Sequence, residues 1–558
     1  MELFEKFATE TLDEKGTLVD IKYHYPENYN FAFDVVDWYG QNQPNRKAMI
    51  WVSNEDEEKV FTFGDIMKES AKTAHYLRAM GINKGDRVLV VLRRHYEWWF
   101  VMMALCKIGA IVIPATDQLK EHDFVYRFNA AGVSAIICTA TGNVIQEAES
   151  AADKCNVNIR IITNGTREGW HTFSEEYVNY PDVYTRADNP EDLKADEIML
   201  MYFTSGTTAY PKIAAHMHTY SLAHFTTAHN WHNVDPNGIH FTVAETGWGK
   251  AVWGKLYGQW ICGACVFVYD FAKFDQAKLL GKISKYGITS FCAPPTIYRF
   301  MIKEDLSKYD LSSLKYITTA GEALNPEVFN KMKEATGLSI MEGFGQTETT
   351  LTVANFIGMT PKPGSMGKPN PQYNIKLLDS DGNIIDGIGE EGEVCIDISK
   401  ERPLGLYKEY YRDEVQTKEA MHDGYYHTGD MAWRDEDGYL WYVGRTDDII
   451  KSSGYRIGPF EIENVLMEHP AVLECAVTGV PDPVRGQVVK ATIVLTKGYT
   501  PSEELKADIQ QFVKKETAPY KYPRVIDFVE ELPKTISGKI KRTELRKQKW
   551  FFLRTYKK

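Results

Sequence analysis

Between about residue 60 and residue 345, short apolar runs recur with amphipathic stretches between them: RVLVVL, AIVIPAT, VSAIICT, IRIITN, IMLMYFTS, ACVFVYD, ITSFCAPP, KYITTAGE and LSIMEGFG. Each run has strand length, and the stretches between them have helical character. Strands alternating with helices predict parallel sheets covered by helices. From about 364 to 445 the texture changes to short strands punctuated by Asp-Gly and Glu-Gly turns, as in LLDSDGNIIDGIGEEGEVCIDI and WRDEDGYLWYVG, which predicts a small antiparallel or barrel-like lobe. After GRTDDIIKSSGYRIGP comes a compact unit with helices at FEIENVLMEH and SEELKADIQQFVKKE and strands at VLECAVTGV, QVVKATIVLT and RVIDFVEEL. The fold class expected is therefore α/β. A large N-terminal domain over residues 1–446 holds parallel-rich sheets, helices and the small β-barrel lobe, and an α+β C-terminal domain covers 447–558.

Composition narrows the function class. At 558 residues the chain exceeds what one hydrophobic core supports, so a sizeable buried site fits within it. A formal charge of −12 argues against sequence-independent nucleic-acid binding and against an anionic membrane surface, both of which need a basic face. The longest apolar run, WWFVMMALC, is cut by Lys107 and too short to span a bilayer, and the acidic start MELFEKFATETLDEKG has the character of neither a signal nor a transit peptide. A cytoplasmic chain directed at small molecules is expected. The eight cysteines follow no regular framework, which suits reduced buried thiols; Cys262 and Cys265 form a CxxC at an apolar strand entry, where core packing is expected over metal or redox work. The crowded His216, His218, His224, His229 and His232 have no acidic or cysteine partner at ligand spacing, so packing or solvent is expected for them. NEDEEK near residue 56 is a solvated loop.

One stretch carries chemistry of its own. TSGTTAYPKIAAH, residues 204–216, follows an apolar strand and precedes AAHMHTYSLAHFTTAH, which predicts a helix, so the stretch is expected to be a strand-to-helix loop. Gly206 allows close approach, Thr204, Ser205, Thr207 and Thr208 offer hydroxyls, and Lys212 supplies a cation, a set suited to phosphate oxygens. It is not a Walker A loop, because Pro211 precedes the lysine and Ile213 follows it.

TSGTTAYPK, TAGEALNPE, GFGQTET, GYYHTGD, GRTDDIIKSSGYRIGPFEIE and LPKTISGKIKR stand in one order along nearly the whole chain. Together they resemble the adenylate-forming superfamily, and AETGW and APYKYPR look most like its medium-chain acyl-CoA synthetase branch. Ala209 departs from the family, which usually has a second glycine there. The resemblance implies an acid:CoA ligase in which a carboxylate attacks the α-phosphate of ATP, pyrophosphate leaves, and the thiol of coenzyme A then displaces AMP from the acyl adenylate. Its implied cofactors are ATP, Mg2+ and coenzyme A as cosubstrate; its implied partners are a small carboxylic acid, ATP and CoA, with no nucleic acid, no stable membrane span, and self-association into a homo-oligomer left open.

The same resemblance assigns residues. The 204–208 loop and Lys212 match the β- and γ-phosphate contacts. Thr347 matches the α-phosphate contact and Glu348 the magnesium ligand. Gly321, Glu322, Ala323, Gly343 and Phe344 match the segments that line the adenine, Gly345 and Gln346 are counted with the ATP and AMP contacts, Asp430 matches the carboxylate that accepts both ribose hydroxyls, and Arg445 a ribose contact beside it. Lys539 matches the lysine that bridges the acyl carboxylate and the α-phosphate, making it catalytic with Thr347 and Glu348. Asp447 matches the hinge about which the C-terminal domain is mobile. Ser453, Gly454 and Tyr455 match the loop that lines the pantetheine tunnel of coenzyme A; Arg456 beyond them is counted with the nucleotide contacts.

The acyl pocket implied by the resemblance is bounded by Gly345, Ala320, Gly249 and Lys250. Acetate-specific relatives carry a tryptophan where Gly345 stands, so an acid larger than acetate is expected. GKAVWGKLYGQW is expected to form one helix, placing Lys250, Trp253, Tyr257 and Trp260 near one face, with Trp231 and Trp248 nearby, and the aromatic walls favour a medium-length, branched or aromatic acid. Three alternatives stay open: an adenylation enzyme that loads a carrier protein, a luciferase-like oxygenase that shares the first step, and a non-enzymatic acyl-adenylate or nucleotide-binding protein.

Overall fold

The computed structural model describes residues 2–204, 211–321, 324, 326–453, 455–534 and 540–547. Two large sheets carry the N-terminal part. In the first, Arg87–Val91, Ile111–Pro114, Ala135–Thr139 and Ile159–Thr163 run parallel, and Ile198–Thr204 joins beside Ile111–Pro114. In the second, Lys47–Ser53, Cys265–Asp270, Ile239–Thr242, Ser290–Cys292, Tyr316–Ala320 and Ile340–Gly345 form a parallel run in that spatial order. Strands such as Cys265–Asp270 are buried from end to end, the condition of a parallel sheet covered on both faces.

All nine apolar runs are strands. Lys47–Ser53, Lys212–Met217 and Ile239–Thr242 join them. Lys212–Met217 corrects the expected helix: the 204–216 stretch connects two antiparallel strands, with Thr204 paired to Lys212, and the helix begins later, at Tyr220–Thr226. Ile213 and Ala215 pack into one core and Ala214 into another, so the strand is apolar on both faces and shows no alternation of polar and apolar residues.

The antiparallel lobe is hydrogen-bonded into the second sheet. Ile340–Gly345 turns back into Leu351–Ala354, followed outward by Ser365–Pro369, Leu440–Arg445, Tyr425–Arg434, Glu391–Asp397 and Ile375–Leu378. Its Asp-Gly turns are as expected, with Gly382 and Gly438 both at φ +83°, a conformation that suits glycine. A third sheet of Ile450–Ser452, Tyr455–Ile457, Val472–Asp482, Gly486–Leu495 and Val525–Val529 packs with helices Pro459–Glu468 and Glu503–Glu516 around its own apolar core. Phe460 meets Tyr442 of the lobe with ring centroids 5.7 Å apart.

Helix Glu97–Ile108 is buried along its whole length, and Lys107 is tolerated there because its ammonium lies 2.8 Å from the Asp37 carboxylate. No described helix is long and apolar enough to cross a membrane. All eight cysteines are free, and Cys262 and Cys265 are buried in the core.

Glu342, on Ile340–Gly345, makes the fold sensitive to pH. Burial pushes its carboxyl from the ordinary 4.5 up to about 8, against a weak hydrogen bond from the Leu324 N–H. The folded chain therefore holds a proton that the unfolded chain has lost between these values, so stability falls as pH rises through that window, by up to about 1.4 kcal/mol per pH unit. Glu342→Gln keeps the shape and removes the proton. Its melting temperature should decline less steeply than that of the parent between pH 5 and 8, and equal slopes would exclude Glu342 as the source.

Candidate active site

Strand Ile340–Gly345 ends in a tight turn through Gln346, Thr347, Glu348, Thr349 and Thr350 before the chain returns along Leu351–Ala354. At one end of the turn the Gln346 amide donates to the Thr428 carbonyl at 2.8 Å and to Asp430, while its oxygen accepts from the Tyr426 hydroxyl at 2.7 Å. Asp430 is only 5% exposed, and its other oxygen accepts from the Tyr442 hydroxyl at 3.0 Å. Arg445 stands directly opposite Asp430 on the neighbouring strand, with Nη1 3.7 Å from the carboxylate. Burial, reinforced by Asp430, holds the Tyr442 phenol well above its ordinary range, so it remains a donor. The Phe344 and Tyr442 rings lie 6.2 Å apart beside this carboxylate. A flat apolar face next to a buried acceptor suits a base and its ribose diol.

At the other end of the turn, Tyr410 donates to Glu348 Oε1 at 2.9 Å, and the Glu348 carbonyl accepts the Tyr407 N–H at 2.7 Å. Lys212 Nζ sits 4.7 Å from the centroid of the same Tyr410 ring. His216 donates from Nε2 to the Thr347 carbonyl at 2.9 Å; burial holds this imidazole down at about 3, so it is neutral, and the carbonyl partner fixes the proton on Nε2. A cation and a half-buried carboxylate therefore flank the opening of the 204–212 hairpin, the pair of charges that a polyphosphate and a hard divalent cation require. Ser205, Gly206, Thr207 and Thr208 lie outside the described residues, as do Glu322, Ala323, Gly454 and Lys539.

The residues expected around the acid divide into two groups. Lys250 donates to the Ala320 carbonyl at 2.7 Å, at the end of strand Tyr316–Ala320, which places the lysine in the site. A Cβ at Gly343 would lie 2.7 Å from the Trp231 indole, and one at Gly345 would lie 2.5 Å from Trp253 and press on the Thr350 carbonyl. Glycine at 345 thus admits the Trp253 ring beside the Thr350 carbonyl instead of leaving a void. Among the described residues, no heavy atom stands within 4 Å of where a Cβ at Gly249 or Gly321 would sit. Trp248 precedes helix Gly249–Lys255 at its N-cap. The single helix expected over this stretch is broken at Leu256, φ −147° and ψ −89°, into Gly249–Lys255 and Tyr257–Ile261. The break turns Tyr257 against Phe31, ring centroids 4.9 Å apart, and lets Trp260 donate to the Ala48 carbonyl at 3.0 Å. Both are core.

Ser453, Tyr455 and Arg456 stand on the third sheet, apart from the turn. Ser453 has φ +50° and its hydroxyl is 3.2 Å from Arg485; Tyr455 is half exposed and stacked on Tyr520 at 4.1 Å; Arg456 is exposed opposite Lys451. Asp447 accepts from Arg445 at 3.4 Å through its carboxylate and from Arg546 through its carbonyl. Tyr410, Tyr426, Tyr442 and His216 are the site residues that sequence reasoning missed. Tyr410 and Tyr426 stand 62 and 80 positions from the side chains they hold, and no local pattern announces such a pairing.

Comparison with known proteins gives a consistent picture. The AMP-binding enzyme family matches residues 36–411, and the AMP-binding enzyme C-terminal domain matches 461–539. The chain is 42% identical over 543 residues to the mitochondrial acyl-coenzyme A synthetase ACSM3 of Homo sapiens, covering 95% of this chain and 91% of that protein. It is 40% identical to the mitochondrial acyl-coenzyme A synthetase ACSM4 of Rattus norvegicus, covering 98% and 94%. Among solved structures, the anthranilate CoA ligase AuaEII in complex with anthranoyl-AMP aligns at TM-score 0.86 and 29% identity over 95% of this chain and 99% of that one. A benzoate CoA ligase from Burkholderia xenovorans LB400 aligns at TM-score 0.79 and 25% identity over 93% and 100%.

Tyr442→Phe deletes one donor to Asp430 while leaving the ring in place. Affinity for AMP, read by calorimetry, should fall about five- to tenfold, the worth of roughly one hydrogen bond to a charged acceptor. Unchanged affinity would show that Tyr442 does not position the carboxylate for a nucleotide.

Proposed function

The chain belongs to the AMP-binding enzyme family and is an acyl-coenzyme A synthetase, joining a carboxylic acid to coenzyme A at the expense of ATP through an acyl adenylate, and from that premise we propose how its residues divide the work. Asp430 accepts the ribose hydroxyls with Arg445 beside it, and Phe344 covers the adenine along the Gly343–Gly345 backbone. Thr204, the 205–208 loop and Lys212 hold the β- and γ-phosphates, and Thr347 contacts the α-phosphate. Glu348 fits the magnesium ligand, being a half-buried hard carboxylate oriented by Tyr410. Magnesium held there would supply positive charge that offsets the charge of the phosphates. What carries the reading is that one turn, 346–348, presents the ribose acceptor's partner at one end and the metal-class carboxylate at the other.

In the first step the acid's carboxylate oxygen attacks the α-phosphorus, and the bond to pyrophosphate breaks in line. Lys539 stabilises the charge gathering between carboxylate and phosphate. In the second, the thiol sulfur attacks the acyl carbonyl carbon and AMP leaves. The domain division at 446/447, the hinge at Asp447, the tunnel residues Ser453, Gly454 and Tyr455, and Arg456 as a nucleotide contact belong to this same proposal, because each step needs its own set of groups around the adenylate. Lys539→Ala should lower adenylation by roughly 10² to 10³, about 3 to 4 kcal/mol, and leave thioester formation from supplied acyl adenylate near the parent rate. Equal losses in both half-reactions would remove Lys539 from the first step.

For the acid, we propose a medium-chain, branched or aromatic carboxylate held between Trp253, Trp231 and Lys250, with its length running past Gly249 and Gly321. Two of the matched structures are ligases of aromatic acids, which supports the reading. The test is kcat/KM for acetate, isobutyrate, hexanoate, octanoate and benzoate with ATP, magnesium and coenzyme A, read by AMP and thioester. Trp253→Ala should shift preference toward longer acids, by roughly fourfold for each methylene newly buried. A chain-length profile unchanged by Trp253→Ala would move the acyl pocket elsewhere, and AMP release without thioester would favour a carrier-protein acceptor. A cytoplasmic location is proposed on the reduced cysteines alone; they suit the mitochondrial compartment in the relatives' names equally, and fractionation of cells decides between them.

A further inference from the structure

Three unlike donor atoms converge on the lobe, on the side of the sheet away from Gln346. Cys395 of strand Glu391–Asp397 lies directly across the ladder from His427 of strand Tyr425–Arg434, and Glu393 precedes Cys395 by two positions, where strand alternation returns a side chain to the same face. Cys395 Sγ is 3.5 Å from His427 Nδ1, and Glu393 Oε2 is 3.0 Å from the same nitrogen. All three donor atoms lie within 4.8 Å of one another. Around a tetrahedral ion with bonds of about 2.0 to 2.3 Å, neighbouring ligand atoms stand about 3.3 to 3.6 Å apart. Both distances to His427 lie within a few tenths of an ångström of that spacing, and the Glu393–Cys395 separation is at most 4.8 Å.

We propose that Glu393, Cys395 and His427 form a site for a borderline divalent transition ion of the zinc class, with a fourth position left for water. The donor set decides the class. A thiolate and an imidazole select zinc over magnesium, whose all-oxygen preference is met instead at Glu348. The groups behind the ligands are already oriented. Glu393 Oε1 accepts the Gly429 N–H at 2.8 Å, and the His422 ring stacks on His427 at 3.9 Å with 8° between planes. Cys395 is buried while Glu393 and His427 are partly exposed, so an ion has a route in from the solvent side. Binding releases the thiol proton to solvent and leaves the imidazole proton on Nε2. Asp430 follows His427 by three positions on the same strand, so the ion would pin the segment that carries the ribose-facing carboxylate.

The experiment uses the full chain, stripped with a chelator and titrated with cobalt and then zinc. One equivalent of cobalt should give a thiolate-to-metal charge-transfer band, which zinc displaces and a large excess of magnesium does not. Cys395→Ser should abolish the band, and His427→Asn and Glu393→Gln should each weaken zinc binding more than about tenfold in competition with a chromophoric chelator. Melting of the metal-free variants at the parent temperature separates loss of a ligand from loss of the fold; should Cys395→Ser not fold, His427→Asn and Glu393→Gln decide alone. A band that persists in Cys395→Ser, or zinc affinity unchanged in both His427→Asn and Glu393→Gln, overturns the site.

Discussion

The side-chain amide of Gln346 is the joint on which the arrangement depends. It spends its donors on the Thr428 carbonyl and Asp430 and its oxygen on Tyr426, and so ties the end of the parallel sheet to the central strand of the antiparallel lobe. Because Asp430 is nearly inaccessible, leaving that carboxylate without donors would be strongly unfavourable, and Gln346, Tyr442 and Arg445 together satisfy it. The two halves of the site cannot drift apart without breaking these bonds. Asp430 on its strand and Glu348 on the turn are thereby held at fixed positions relative to each other.

Charge is admitted elsewhere in the interior under the same rule. Where the two parallel sheets meet at the carboxyl ends of their strands, Arg94 pairs with Glu245 and covers the Phe271 ring at 3.9 Å, while His95 bridges Asp270 at 2.7 Å and Thr139 at 3.0 Å. Lys255 donates to the Ala244 carbonyl at 2.7 Å nearby, and burial pulls its ammonium down to about 7. Paired charges of this kind add little net stability but define one register between elements, since any other would strand an ion in an apolar setting.

Strand Tyr425–Arg434 shows how much one strand can carry when its two faces are used separately. The Tyr426 hydroxyl, the Thr428 carbonyl and the Asp430 carboxylate meet Gln346, while His427 meets Cys395 and Glu393. Alternation of the extended backbone puts Tyr426 and His427 on opposite faces, while the bulge at Gly429, φ +71°, re-aims the chain before Asp430.

The amino-acid sequence alone determined the class of the fold and the identity of the chemistry. Short apolar runs alternating with amphipathic stretches indicate strands buried on both sides, the Asp-Gly turns bend the chain sharply, and the ordered motifs single out Asp430, Glu348, Lys212 and Lys539 without reference to any partner in space. These are local signals, carried within a few residues. Tertiary structure decided what depends on residues distant in the chain. Lys212–Met217 is a strand because cores press on it from both faces, and GKAVWGKLYGQW breaks at Leu256, sending Trp260 into the core and Trp253 toward the site. Gly345 looks like empty space in the sequence and is filled by Trp253 in the fold. Tyr410 reaches Glu348 from the edge of a different sheet, and Cys395 reaches His427 across the ladder of strands. Hydrogen bonds and ligand geometry act over a few ångströms, and a linear pattern cannot specify which distant residues the packing of sheets will bring within that distance.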